Sequence, residues 1–367
     1  MNTMTIPAGP HELTPAWLTG ALRSTGALGD AEVTSVQAAV VGEGSGFIGQ
    51  LARVALTYDR AEPGAPASLI GKFPGASEGG RMIGNLFDFY HREIRFYEEV
   101  ADRVELRTPR RYFSAMDRNA QQYILLLEDL APAIVGDHLE GCLVREAELA
   151  VRTIAKFHAS WWDSPQLDKI AEWMPALDAP VQNLAQGAYQ QAWQPFRDSF
   201  GAGLSPRMIA VGEQIGQNLI RLQQSFANAP LTINHGDFRL DNLFFPPIAG
   251  GAPIAVADWQ ISTRGRGIFD ISYLLCGGME PEIRREHERD LVRTYADVLA
   301  EHGVTDYPFE QAWEEYRRGA LFVLGYVVIA IGTLDTANAR GVSLFTTWLR
   351  RAVAAIEELD APELMPA

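Results

Sequence analysis

Cysteine is almost missing from this sequence, with Cys142 and Cys276 the only two among 367 residues. That excludes a disulfide framework or a thiolate metal cluster, each of which needs several thiols. Lysine is nearly as scarce: only Lys72, Lys156 and Lys169 occur, so 28 of the 31 basic residues are arginine. A chain that uses arginine so freely keeps a lysine where a compact ammonium is needed, and Lys72, in a strand-like run, is the one to watch. Long apolar runs are missing too. The longest, ALFVLGYVVIAIGTL from Ala320 to Leu334, has 15 residues, against roughly 20 for a membrane span, so it reads as a buried helix. The N-terminal MNTMTIPAGPHELTPAWL has no basic segment followed by an apolar core, which argues against a signal peptide. There is no excess of positive charge: the net charge of −15 argues against a partner bound through nucleic-acid phosphates. No internal repeat or low-complexity tract occurs. A cytoplasmic protein without membrane segments is expected.

What is present is ordinary globular composition, 47% apolar and 21% charged, in a chain long enough for two lobes. Thr14-Pro15 opens a short helix as cap and first helical residue. From about Glu32 to Phe73, TSVQAAVV, QLARVALTY and SLIGKF read as strands separated by Gly- and Pro-rich turns. NLFDFYHREIRFYEEVADRV reads as one helix, with Leu86, Tyr90, Ile94, Tyr97 and Val100 at helical spacing. RRYFSAM and QQYILLLEDL are two more strands. After Ala131 the pattern is mostly helical, apart from one hairpin. A strand-rich N-terminal lobe therefore meets a larger helical one near Glu128 to Ala131, and ligand sites favour such junctions.

That hairpin carries the most specific signal. In NHGDFRLDNLFF, residues 234–245, a polar loop runs into the strand Leu243–Phe245; a turn-rich PPIAGGAP follows, then a second strand, Ile254 to Ala257, ending at Asp258. If the strands pair antiparallel about 4.8 Å apart, Asn242 and Asp258 meet at one end of the hairpin. An amide oxygen and a carboxylate are the hard oxygen ligands that Mg²⁺ takes beside phosphate oxygens. Asp237 faces the same point as a separate carboxylate for a nucleophile. A polar turn with capping Asp and Asn residues is the plainer alternative.

Other residues extend the pattern. VGEGSGFIGQ contains a literal dinucleotide fingerprint, GSGFIG, but a strand rather than a helix follows, and no acidic residue stands some twenty positions on. A glycine-rich turn between antiparallel strands, at Gly44, Ser45 and Gly46, can instead lay backbone N–H groups over phosphates, or be a plain hairpin turn. Lys72 ends a strand and Glu93 sits near the apolar face of the next helix. Together they form either a buried pair on a nucleotide's phosphates or two solvated charges. Asp270, in the apolar GRGIFDISYLL, braces the loop backbone or caps a helix.

Two rival classes remain. A metal-dependent hydrolase could use His235, Asp237, Asp241 and Asp258, though none of the seven histidines forms an H-x-x-x-H pair. A nucleotide-binding protein without catalysis is the other, against which the lysine, both metal residues and the acid are all present. Trp161, Trp162, Trp173 and Trp193, with Tyr189, Phe196 and Phe200, are either helix packing or a pocket for an apolar or cationic acceptor.

Taken together these stretches resemble the aminoglycoside phosphotransferase and choline kinase-like group, in its ecdysteroid kinase-like branch. HGDFRLDN stands for its catalytic loop, AVADW for its second metal aspartate and GKF for its nucleotide lysine. EIRFYEE, LLLEDL and AKFHASWW are similar to its helix, hinge and pre-catalytic helix. The resemblance implies an α+β, bilobal protein kinase-like fold: a small antiparallel-sheet lobe (1–127), a hinge (128–131) and a mostly helical lobe (132–367). It implies a phosphotransferase with ATP in the cleft and a small-molecule hydroxyl acceptor. Backbone groups around Glu128 and Leu130 hold adenine, while Lys72 and Glu93, with the Gly44–Gly46 turn, position phosphates. Asn242 and Asp258 bind Mg²⁺, Asp237 orients or receives the acceptor hydroxyl, and His235 and Asp270 support the loop. Gly236 replaces the arginine of protein kinases, and Trp259 follows the metal aspartate. HGDFRLDN also resembles kinase domains associated with acyl-CoA dehydrogenases, which suggests hydroxyacyl acceptors. No dense acidic run in 160–230 points to aminoglycosides.

Overall fold

Alternation in QLARVALTY turns one side of a strand to the core and the other to water. The structure, a computed structural model, describes residues 4–41, 48–247, 253–332 and 339–366. In it β1 (Val33–Val41) pairs antiparallel with β2 (Gly49–Tyr58), whose Ala52, Val54 and Leu56 are buried while Arg53, Ala55 and Thr57 are exposed. With β3 (Ser68–Pro74), β4 (Arg111–Asp117) and β5 (Gln122–Glu128) they form an antiparallel sheet of order β1-β2-β3-β5-β4. Leu18 and Leu22 of α1 (Pro15–Ser24) join Val54, Leu69, Phe73, Ile124 and Leu126 in one core. Each such side chain contributes about 1.5–3 kcal/mol on burial. Thr14 caps α1 by accepting from the Trp17 N–H at 3.2 Å. This sheet and its helices make one compact unit, Met1–Asp102 with Thr108–Pro132.

One expected helix is two. The stretch read as a single helix from Asn85 onward divides into the end of α2 (Glu78–Leu86) and α3 (Phe89–Glu99). Asp88 between them has φ 56°, a left-handed conformation that short polar residues tolerate better than most. Its carboxylate lies 3.0 Å from His91 Nδ1 and accepts from Arg118 at 2.8 Å, which fixes the corner. The helical period holds from Tyr90 to Tyr97. Leu86 lies before the corner and is 56% exposed.

The second unit, Arg103–Arg107 with Ala133–Ala367, is mainly helical. After β6 (Ile134–Val135) come α4 (Val144–Trp161), α5 (Gln166–Lys169), α6 (Leu184–Phe200) and α7 (Pro206–Ser225). Short strands β7 (Thr232–Asn234), β8 (Leu243–Phe245), β9 (Ala255–Val256) and β10 (Thr263–Gly265) follow. Then come α8 (Ile268–Gly278), α9 (Pro281–Glu301), α10 (Phe309–Gly332) and α11 (Ala339–Glu358). The described part of the long apolar run, Ala320 to Gly332, lies in α10, whose Leu321, Val323, Leu324, Val327 and Val328 are buried against α6, α8, α9 and α11. No helix among the described residues is long and apolar enough to cross a membrane. The hairpin does not stand alone, as the pattern suggested. β6 adds to β8, and β7 pairs with β10.

Candidate active site

The short strand β7 delivers its chain directly into His235, Gly236 and Asp237. Gly236 has φ 85°, and a Cβ there would come 2.6 Å from the Ile261 carbonyl oxygen. Only glycine takes this turn without strain, which is the physical reason for glycine at this position. Beneath it lies Asp270, fully buried in the first turn of α8. One of its oxygens accepts from the His235 N–H at 2.7 Å, and the other from the Gly236 N–H at 3.0 Å. His158 of α4 adds its Nε2 at 3.2 Å, and its Nδ1 lies 3.0 Å from the Tyr295 hydroxyl. A buried carboxylate is costly unless its lone pairs are satisfied, and these donors satisfy them. His235 is also committed on both ring nitrogens: Nε2 lies 2.9 Å from the Ala257 carbonyl and Nδ1 accepts from the Asp237 N–H at 3.2 Å. With both ring nitrogens engaged, none is left for a metal, which counts against the hydrolase reading.

Asp237 projects from the other side of the loop, its side chain 18% exposed. Tyr273 of α8 donates to Oδ1 at 2.9 Å, and Oδ2 accepts from Arg239 Nε at 3.2 Å and Asn242 Nδ2 at 3.0 Å. Burial alone raises a carboxyl pKa, but Arg239, His235 and the Tyr273 hydrogen bond outweigh it and hold Asp237 below its usual value. Arg239 also binds Asp241, whose other oxygen accepts from the His138 N–H at 3.2 Å.

Asn242 and Asp258 come from the two strands of the hairpin. Leu243 registers with Val256 in the antiparallel β8–β9 pair, and the Ala257 N–H donates to the Asn242 carbonyl at 3.0 Å. Asn242 and Asp258 therefore flank the same end of that ladder. The Asn242 NH₂ donates to both the backbone carbonyl and the carboxylate of Asp237, which leaves its amide oxygen for another partner. Asp258 has φ 67°, and Gln260 donates to its Oδ2 at 3.3 Å. Strained backbone of this kind, costing about 1–3 kcal/mol, persists where the surroundings over-determine it. Here the next residue does so: Trp259 is fully buried, donates to the Val256 carbonyl at 3.1 Å and packs 4.5 Å from the His235 ring. An amide oxygen and a carboxylate are a donor set suited to a hard divalent cation.

The remaining residues named from sequence belong to the first unit. Lys72, in register with Leu125 of β5, places its ammonium 2.5 Å from Glu93 of α3, with side chains 8% and 1% exposed. Two charges leave water together only when paired, so this is a buried ion pair rather than two solvated groups. Glu128 ends β5 and accepts from the Arg110 N–H at 3.0 Å; Leu130 follows, half-buried. Gly44, Ser45 and Gly46 lie outside the described residues.

Sequence reading missed Tyr273, Arg239 and His158. Tyr273 carried a signal, a hydroxyl one helical turn from Asp270 inside an apolar stretch. The tryptophan-rich span is mostly packing: Trp161, Trp173, Tyr189 and Phe196 are buried. Tyr189, Trp193, Phe196 and Phe200 stack successively along α6, with a recess of about 190 Å³ beside Tyr189, Trp193 and Glu213.

A model of the ecdysteroid kinase-like family matches residues 43–304. Two curated relatives match over short segments. A probable acyl-CoA dehydrogenase of Arabidopsis thaliana is 33% identical over 69 residues, covering 19% of this chain and 8% of that protein. Acyl-CoA dehydrogenase family member 10 of Mus musculus is 50% identical over 42 residues, 11% of this chain and 4% of that one. The match thus spans under a tenth of either relative. Among solved structures, the GDP complex of an aminoglycoside 2'-phosphotransferase-IIIa mutant superposes with a TM-score of 0.56 at 14% identity, covering 96% of this chain and 99% of that one. Choline kinase from Cryptosporidium parvum Iowa II superposes with a TM-score of 0.53 at 12% identity, covering 90% and 92%. The fold is α+β and that of the small-molecule kinases.

Proposed function

The chain belongs to the ecdysteroid kinase-like family, and from that premise we propose that it is a phosphotransferase moving the γ-phosphate of ATP to the hydroxyl of a small molecule. One observation carries the proposal: a loop carboxylate, Asp237, oriented by three side-chain donors, beside a hairpin end that presents the amide of Asn242 and the acid Asp258. The donor chemistry fits Mg²⁺, which Asn242 and Asp258 would hold and which would there neutralise phosphate charge. Lys72, fixed by Glu93, binds nucleotide phosphates. Backbone groups at Glu128 and Leu130 take the adenine, and the backbone N–H groups of Gly44, Ser45 and Gly46 bind the phosphates.

Phosphoryl transfer asks for positioning more than for covalent chemistry. Asp237 orients the acceptor hydroxyl. The acceptor oxygen bonds to the γ-phosphorus as the bond from that phosphorus to ADP breaks, and the electron pair leaves with ADP. The acceptor's proton passes late to Asp237. A carboxyl held below its usual pKa is a weak base for an alcohol, so orientation is its larger contribution. Asp270 and His235 keep the loop in place and touch neither substrate. Two buried free thiols suit a reducing, cytoplasmic setting.

The test is an ATP-consumption screen across amino alcohols, sterols, aminoglycosides and hydroxyacyl thioesters, with magnesium. Turnover with one class supports the proposal and names the acceptor. The similarity to two acyl-CoA dehydrogenase proteins makes hydroxyacyl thioesters the second reading and a required arm. Tight ATP binding with no acceptor turned over would favour a catalytically silent nucleotide-binding protein.

A further inference from the structure

A carboxylate offers about four acceptor positions. On Asp237, Tyr273 occupies one on Oδ1, while Arg239 and Asn242 occupy two on Oδ2. The unclaimed position lies on Oδ1, the oxygen Tyr273 also holds. We propose that Tyr273 is a positioning residue for phosphoryl transfer: its hydroxyl, donating to Oδ1 of Asp237, directs the remaining lone pair of that oxygen to the acceptor alcohol. This rests on the kinase reading above and adds to it the atom that meets the acceptor and the group that aims it.

The surroundings suit a fixed donor. Tyr273 is 2% exposed and reaches Asp237 from the apolar interior. Its ring is wedged between Trp348 of α11 and Tyr326 of α10, at centroid distances of 5.4 and 5.7 Å, both edge to face. Trp348 can come so close because Gly277 stands one helical turn beyond Tyr273; a Cβ there would lie 2.5 Å from the indole Nε1. Three helices thus hold one phenol in place. Burial and the adjacent Asp237 carboxylate push the hydroxyl's pKa well up, so it remains a donor and keeps its proton while the acceptor's proton moves to Asp237. Phenylalanine would pack equally well here; the hydroxyl is the part that packing does not explain.

Tyr273→Phe keeps the ring and removes the donor. The probe is ATP with magnesium, offered water and then the alcohol panel as acceptors. Expected is a fall in kcat of about ten-fold or more, the scale of one hydrogen bond to a charged group, with KM for ATP within about two-fold. A second readout needs no turnover: the Asp237 side-chain carboxyl ¹³C resonance, assigned by its absence in Asp237→Asn. In Tyr273→Phe it is expected to titrate at higher pH than in wild type, because a donor to the charged form is gone. An active wild type with an unchanged Tyr273→Phe rate, or an unmoved titration, would overturn the role of Tyr273 and leave the kinase reading standing. A wild type that transfers phosphate from ATP to no acceptor, water included, would overturn the kinase reading and this inference with it.

Discussion

The two sides of the loop His235–Asp237 solve opposite problems with the same functional group. On the inner side, Asp270 is wholly buried and its partners are two backbone N–H groups and a histidine. On the outer side, Asp237 is partly exposed and its partners are side chains of Tyr273, Arg239 and Asn242. Backbone donors cannot be removed by substitution, and leaving them unpaired in the interior costs the fold. Side-chain donors set direction and charge. A buried acid in an apolar helix and an acid at a loop tip are thus told apart by who donates to them, not by burial alone.

The largest effect on stability belongs to the inner side. Asp270→Ala strands two buried N–H groups and the His158 ring, and is expected to cost about 3 kcal/mol or more in chemical denaturation. A loss under about 1 kcal/mol would erase the distinction between the two sides. Next in size is Asp258→Ala, expected to leave the fold intact and to weaken magnesium-dependent ATP binding by about ten-fold, or about 1.4 kcal/mol. Unchanged magnesium dependence would remove Asp258 from the metal site. The smallest effect concerns acid. The folded Asp237 carboxyl is held below the ordinary carboxyl value of 3.8. Its contribution to stability is therefore present above that unfolded value and lost as pH falls through the lower folded one. The stability gap between wild type and Asp237→Asn should narrow on acidification from about pH 5 to pH 3. A gap that widens would contradict the direction of the shift.

Much of this was legible because the signals were local. Alternation fixed β2, the Thr14-Pro15 cap fixed α1, and two short apolar strands around PPIAGGAP announced the pairing that brings Asn242 and Asp258 to one ladder end. What escaped was set by contacts distant in sequence or by a single backbone angle. Asp88 adopts φ 56° and divides what the period alone made one helix. β6 reaches β8 from more than a hundred residues away, which no local pattern records. Tyr273 and Asp237 are 36 positions apart, and a tyrosine in an apolar helix reads as core until its hydroxyl is seen to point at a carboxylate.

In the proposed function Asp237 acts on the acceptor and not on the nucleotide. Turnover and ATP affinity measured side by side in wild type and Asp237→Asn test this most directly. The expected result is a loss of about 10²–10⁴ in kcat, with the calorimetric Kd for ATP within about two-fold of wild type. Retained turnover, or turnover and ATP binding lost together, would contradict it.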